Sequence, residues 1–247
     1  MASRPLSLSL EDYGDAVWRA DELGCAAGAT VATGHPTLDA QLPGGGWPVG
    51  ALCEILQAQS GQQEWRLLLP ALKRGTGPVI LVGAPHVPFG PGLAAQGLAV
   101  QRLLWLVADA PAQRLWATEQ GLRCAAVAAV LAWLPQVRAE QLRRLQIAAQ
   151  AHSKLLFVLR PAQAQHESSP AVLRLLVASP SAGERGATDE LQLQVLKRRG
   201  PPLTQTLALP ARSARLGALL ALQEQGDAHG THEWGAGDAL DRIASAA

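Results

Sequence analysis

The stretch Thr33–Ile55, TGHPTLDAQLPGGGWPVGALCEI, organises the reading of the whole chain. Leu38 and Leu42 stand four apart, the spacing that places two side chains on one face of a helical turn. Pro43 and the glycines Gly44 to Gly46 then end that turn, because glycine adopts positive φ at little steric cost. Pro48 and Gly50 set the start of an apolar run, ALCEIL (51–56), that reads as a strand. An apolar plug, a glycine turn and a buried strand therefore follow one another directly.

Working outward, short apolar runs alternate with amphipathic ones. QQEWRLLLPALKR (62–74) predicts a helix that Pro70 kinks or ends early. GPVILVGAP (77–85) predicts a buried strand, GPGLAAQGL (90–98) a short helix and RLLWLVA (102–108) a strand. APAQRLWATEQGLRC (110–124) predicts a helix and AAVAAVLAWL (125–134) a strand. RAEQLRRLQIAAQAHS (138–153) is the clearest helix, with Leu142, Leu145, Ile147 and Ala149 on one side and arginines on the other. KLLFVLRP (154–161) predicts another strand. Near-continuous apolar strands alternating with helices imply a mostly parallel sheet covered by helices. AVLRLLVAS (171–179) and ELQLQVLKR (190–198) flank a Gly/Pro/Ser-bearing loop and predict an antiparallel extension. Upstream, residues 8–24 predict a helix capped by Ser9, followed by a Gly/Ala linker. The expected organisation is an N-terminal arm (1–29), one core domain (30–212) and a C-terminal tail (213–247).

Hydrophobic residues make up 48% and charged residues 17% of the 247 positions, enough apolar material for a large core. The net charge of +1 gives no bulk attraction to nucleic acid or membrane. Cys25, Cys53 and Cys124 are far apart and form no CxxC, so reduced core or near-core thiols in a cytoplasmic protein are expected. The N-terminus lacks the apolar segment of a signal peptide, and no membrane span is expected.

The spaced pattern TG, LD, LPGGG, WP, VG and EI in Thr33–Ile55 resembles the segment that leads into the P-loop of RecA-like recombinases. With the order of elements through Pro161 and the late run LQVLKRRGPP (193–202), the resemblance spans about residues 30–205. It implies a RecA-like P-loop NTPase fold. WRADEL (18–23), RLLLPAL (66–72) and LQVLKRR (193–199) narrow it. The chain resembles the ImuA family of translesion-synthesis accessory proteins, and SulA-type cell-division inhibitors share that degenerate RecA-like fold. The resemblance implies a role in SOS-induced, mutagenic damage tolerance. The partners it implies are an ImuB-like Y-family protein, an error-prone DNA polymerase, RecA and a second copy of the chain, with DNA contacted indirectly at the nucleoid. The rival readings are a division inhibitor acting on the tubulin-like division protein, and an ATP-binding recombinase.

A P-loop needs G-x-x-x-x-G-K-[ST] after the strand. Here Gln57 stands at the first glycine, Gln62 and Gln63 at the Gly-Lys pair, and Glu64 at the magnesium-holding hydroxyl; Gly61 is the only glycine of the loop. A glutamine amide brings no charge to a phosphate. A carboxylate at position 64 repels one, by roughly 1 kcal/mol per pair at 4 Å in water. Ser60 to Gln63 instead spells S-x-x-Q, which predicts a capping box, with Glu64 at the positive end of the helix dipole. Pro85 and His86 stand where the superfamily places its catalytic acid, and Trp133-Leu134-Pro135 where it places the Walker B carboxylate. No catalytic residue, cofactor or metal site is therefore expected.

Other candidates are surface features. Arg138, Arg143 and Arg144 line a helix, and Lys197, Arg198 and Arg199 end a strand; Arg212 and Arg215 follow. They could contact phosphates, an acidic protein or a neighbouring subunit. Leu10, Val17, Trp18 and Leu23 form an apolar face on the arm that could dock on a neighbour. His229, His232 and Glu233 form H-x-x-H-E without a cysteine, too little for a zinc site. QRLLWL (101–106) faintly resembles a sliding-clamp peptide, and a buried strand is the expected reading.

Overall fold

The computed structural model describes residues 28–178 and 190–210. The expected N-terminal helix with Trp18, the thiol of Cys25, the loop 180–189 and the tail 213–247 lie outside the described residues, as do positions 212 and 215.

The sequence Thr33–Ile55 folds as its pattern predicts. Strand β1 (Thr30–Val31) pairs antiparallel with β2 (Trp47–Pro48), and the turn of helix α1 (Pro36–Asp39) lies between them. Leu38 and Leu42 are both buried in one core cluster. Gly44 and Gly45 have φ of 78° and 70°, the left-handed region expected of a glycine turn. Gly46 serves a different need, close approach: a Cβ there would stand 2.4 Å from the Val31 carbonyl oxygen.

Strand β3 (Ala51–Gln57) leads to helix α2 (Glu64–Leu72). The order continues with β4 (Val79–Val82), α3 (Gly90–Ala95), β5 (Leu103–Leu106), α4 (Pro111–Arg123), β6 (Ala129–Trp133), α5 (Ala139–Ala151) and β7 (Leu155–Pro161). Strands β8 (Leu173–Ala178), β9 (Glu190–Lys197) and β10 (Thr206–Pro210) complete one eight-stranded sheet in the order β10-β9-β8-β3-β7-β6-β4-β5. All pairings from β8 to β5 are parallel, and β9 and β10 attach antiparallel. This is an α/β fold with a mostly parallel central sheet flanked by helices, consistent with the RecA-like expectation. The antiparallel extension is present, with β10 added to it, and its first strand pairs directly with the P-loop strand β3.

Alternation along each strand builds two cores. On one face Ile55, Leu81, Leu131 and Phe157 pack with Leu67, Leu68 and Leu72 of α2 and with Trp47, whose ring meets Phe157 edge-on at 5.2 Å. On the other, Leu52, Ile80, Val130 and Val158 pack with Leu122 of α4 and with Leu142, Leu145 and Ala149 of α5.

Pro70 lies inside α2, which continues two residues past it and ends at Leu72, short of the expected position 74. The proline forfeits one backbone bond near the helix end, and burial of the leucines around it, about 1.5–3 kcal/mol each, outweighs that loss. Three expectations need correction. Ile147 is 62% exposed, because the helical rotation that buries Leu142, Leu145 and Ala149 carries position 147 to the outer flank. Cys124 is exposed beyond the end of α4, whereas Cys53 is buried, which pushes its thiol pKa up. RLLWL forms the outermost strand of the sheet rather than a buried one, with Leu104 and Trp105 partly exposed.

Candidate nucleotide site

The P-loop equivalent connects β3 to α2 at the carboxyl end of the parallel strands, where a doubly wound sheet binds its ligands. The capping box predicted from Ser60 and Gln63 does not form. Gln63 is itself the N-cap residue and makes no side-chain cap bond. The carboxylate of Glu64 turns back into the loop instead. Its Oε1 accepts from the Gly61 backbone N–H at 2.5 Å, from Gln57 Nε2 at 2.6 Å and from Trp133 Nε1 at 3.0 Å. Glu64, Gln57 and Trp133 are all buried.

Three donors thus converge on one carboxylate oxygen. Charge-assisted bonds of this kind are the strong ones, and the helix N-terminus adds its positive end. A loop amide, a strand-end side chain and a side chain from the Walker B strand surround a single anionic group, and that group belongs to the chain. The residues present do not fit a triphosphate with its metal. The loop brings no lysine, its Gly61 amide is engaged, and a carboxylate stands where the magnesium-bound hydroxyl would be. Gln62 bonds only to Gln59 on the loop surface, between exposed side chains.

Residues 58–62 of the loop are exposed, and His86 touches its tip. Gly61 has φ of 94°, and a Cβ there would come within 2.4 Å of the His86 ring. His86, expected as surface or structural, packs against the loop tip while remaining exposed. Trp133 was expected only as a missing carboxylate; its role as the donor that holds Glu64 had no spacing rule to reveal it.

A second buried charge cluster was missed. Glu54 on β3 accepts from Arg160 Nη1 of β7 at 2.7 Å and from Arg174 Nε of β8 at 2.5 Å. Arg160 also donates to Glu167 at 2.6 Å, and Arg174 to the carbonyls of Ala164 and Glu167. Burial works against the Arg160 charge, but its bonds to Glu54 and Glu167 outweigh that and raise its pKa. The signal was one glutamate inside the apolar run ALCEIL and one arginine inside each of two later apolar runs. The cluster ties the P-loop strand to both of its neighbours and is structural.

The basic candidates fall into separate places. Arg144 of α5 donates from Nε to Glu119 of α4 at 3.0 Å, and Arg123 takes the other oxygen at 2.6 Å. Arg138 and Arg143 are exposed, and the Arg138 amide donates to Gln141 at 2.9 Å. Lys197 donates to the Ser169 carbonyl at 3.0 Å, and Arg198 to the carbonyls of Pro201 at 2.8 Å and of Gln41. Arg199 and Arg198 border a cleft of about 310 Å³ at the opposite end of β3 from the loop. Among the described residues no cluster of His, Cys, Asp and Glu is able to hold a metal ion, and no helix is long and apolar enough to cross a membrane.

No protein-family profile matches the chain. The cell division inhibitor SulA of Edwardsiella piscicida is 33% identical over 99 residues, covering 38% of this chain and 59% of that protein. The chain therefore bears a distant, partial similarity to a SulA-type protein, over less than two thirds of that relative's length.

Proposed function

We propose that this chain is a non-catalytic RecA-like accessory protein of the SOS response that acts by binding proteins. Its ImuA-like reading makes it an organiser of an ImuB-like Y-family protein and an error-prone DNA polymerase at damaged DNA. RecA and a second copy are further contacts, and DNA is touched indirectly. The observation that carries the non-catalytic part is the Glu64 carboxylate, which engages the Gly61 amide of the loop together with the side chains of Gln57 and Trp133. The resemblance of Thr33–Ile55 and LQVLKRR to the ImuA family supports the repair role.

Two experiments test it. Purified chain mixed with a fluorescent ATP analogue gives no binding signal and no phosphate release, with or without single-stranded DNA; turnover abolished by Gln63→Ala would establish the recombinase-like alternative instead. Deleting the gene lowers damage-induced mutation frequency, and the tagged chain captures the ImuB-like protein.

The partial likeness to SulA favours one second reading, a division inhibitor that acts on the tubulin-like division protein. Induced expression then lengthens cells without any ImuB-like partner, and the purified chain blocks polymerisation of the division protein. The repair reading is lost if that block occurs and ImuB capture fails.

A further inference from the structure

Strand β5 is one of the two edges of the sheet, β10 being the other: β4 pairs with one side of it, and no described strand lies on the other. Edge strands of stable monomers are ordinarily blunted by charge, proline or a covering element. This one is short, at four residues, but carries neither charge nor proline. Between Arg74 and Asp109 the sequence contains a single Lys, Arg, Asp or Glu, namely Arg102. Arg102 is folded inward and donates to the carbonyls of Gly77 and Leu72, both at 3.0 Å.

The same edge gathers the exposed apolar side chains. Val87, Phe89, Val100, Leu104, Trp105 and Val107 are 68%, 73%, 42%, 49%, 39% and 69% exposed, six of the eight large exposed hydrophobics among the described residues. Five of them adjoin one another: two clefts share Ala84, Pro85 and Trp133, one bordered by Val87 and Phe89 and the other by Trp105 and Val107, while Val100 lies against Gly90, next to Phe89. Leu104 stands on the opposite face of the strand from Trp105. Taking aromatic side chains at roughly 150–250 Å² and smaller ones in proportion, the five present on the order of 500 Å². That is in the upper part of the ~300–600 Å² of the largest patch on an ordinary monomer and short of the ~800 Å² per partner of a standard interface, so backbone pairing along the strand supplies the rest.

We infer that β5 pairs antiparallel with β5 of a second copy of this chain across a twofold axis, joining the two sheets edge to edge. Alternation along the strand supports self-pairing. Leu103 faces the α2 core and Leu106 the α4 core, so Leu103, Trp105 and Val107 share one face and Leu104 and Leu106 the other. A twofold centred on Trp105 sets Trp105 against itself, Leu104 against Leu106 and Leu103 against Val107. Every cross-strand pair is then apolar, and no charge needs a complement. Lys197 and Arg199, the positions expected to face a neighbouring subunit, belong to the other end of the sheet, beside β10. The inference does not depend on the repair or the division reading.

Sedimentation velocity of the full chain over about 1–100 μM tests it. The wild type sediments as a dimer. Trp105→Lys and Val107→Lys each sediment as monomers with unchanged circular dichroism, while Ile147→Lys, which removes an exposed hydrophobic on α5, stays dimeric. Val107 is 69% exposed, so its substitution reads out association even if Trp105→Lys fails to fold. A monomeric wild type overturns the inference, whether the edge then proves to be covered by residues 1–27 or by another protein. So does a dimer that survives Val107→Lys.

Discussion

Trp133 Nε1 donates to Glu64 Oε1 at 3.0 Å across 69 positions of chain. The residue at the expected magnesium carboxylate therefore holds the residue at the expected magnesium hydroxyl. The two departures from a P-loop ATPase form one internal contact.

Glu64→Ala removes the acceptor shared by Gly61, Gln57 and Trp133 and leaves buried donors unpaired. The expected loss is about 3 kcal/mol, below the sum of three charge-assisted bonds because such effects are not additive. Glu64→Gln keeps one acceptor oxygen and costs less. Urea denaturation checks both. Inorganic phosphate raises the melting temperature of Glu64→Ala more than that of the wild type, because the vacated donors then face an anion; equal shifts in the two proteins would refute the phosphate-like role of the carboxylate.

Glu54→Gln leaves Arg160 and Arg174 buried without their shared counter-charge. Breaking a buried pair by removing one partner costs about 3–5 kcal/mol. The denaturation midpoint falls accordingly. Arg144→Ala, which breaks an ion pair whose arginine is 73% exposed, changes stability by less than about 1 kcal/mol in the same assay.

His35 is buried, and its Nε2 meets the Leu67 carbonyl at 3.3 Å. Burial lowers its pKa below 6.5 against smaller raising contributions from backbone carbonyls and Asp39. The unfolded chain thus binds the proton more readily than the folded one, so this contribution to stability is present above pH 6.5 and lost as pH falls below it. The stability difference between wild type and His35→Gln, measured from pH 8 downward, is constant at first and then shrinks below about pH 6.5.

Gly45 and Gly46 are neighbours with different constraints. Gly45→Ala meets open space and carries only the left-handed penalty, about 1–2 kcal/mol. Gly46→Ala drives a Cβ to 2.4 Å from Val31 backbone oxygen, which has no rotamer to yield. It costs more than Gly45→Ala and separates β1 from β2, as thermal melts of the two variants will show.

Much of the fold was legible because its cause is local. Apolar periodicity marks β3 through β7 and their helices, and Leu38, Leu42 and Gly44–Gly46 mark the approach to β3. Likewise, the missing lysine and the glutamate at position 64 are plain in the loop sequence. What Glu64 does with its carboxylate was not legible. Local rules pointed to a cap built by Ser60 and Gln63, and the donors that recruited Glu64 inward come from Gln57 on the preceding strand and Trp133 on a strand 69 positions away. The Glu54 cluster was hidden for the same reason, since its arginines arrive from 106 and 120 positions downstream.

By itself, then, the sequence determined the order of elements and the missing lysine and hydroxyl of the P-loop, because hydrophobic period, glycine turns and residue identity act within a few positions. Only the tertiary structure decided which group meets the loop amide, which strands are left at the edges and which apolar side chains remain outside. Those outcomes depend on strand order and on donors and acceptors meeting across the sheet, and no spacing along the chain encodes such a meeting.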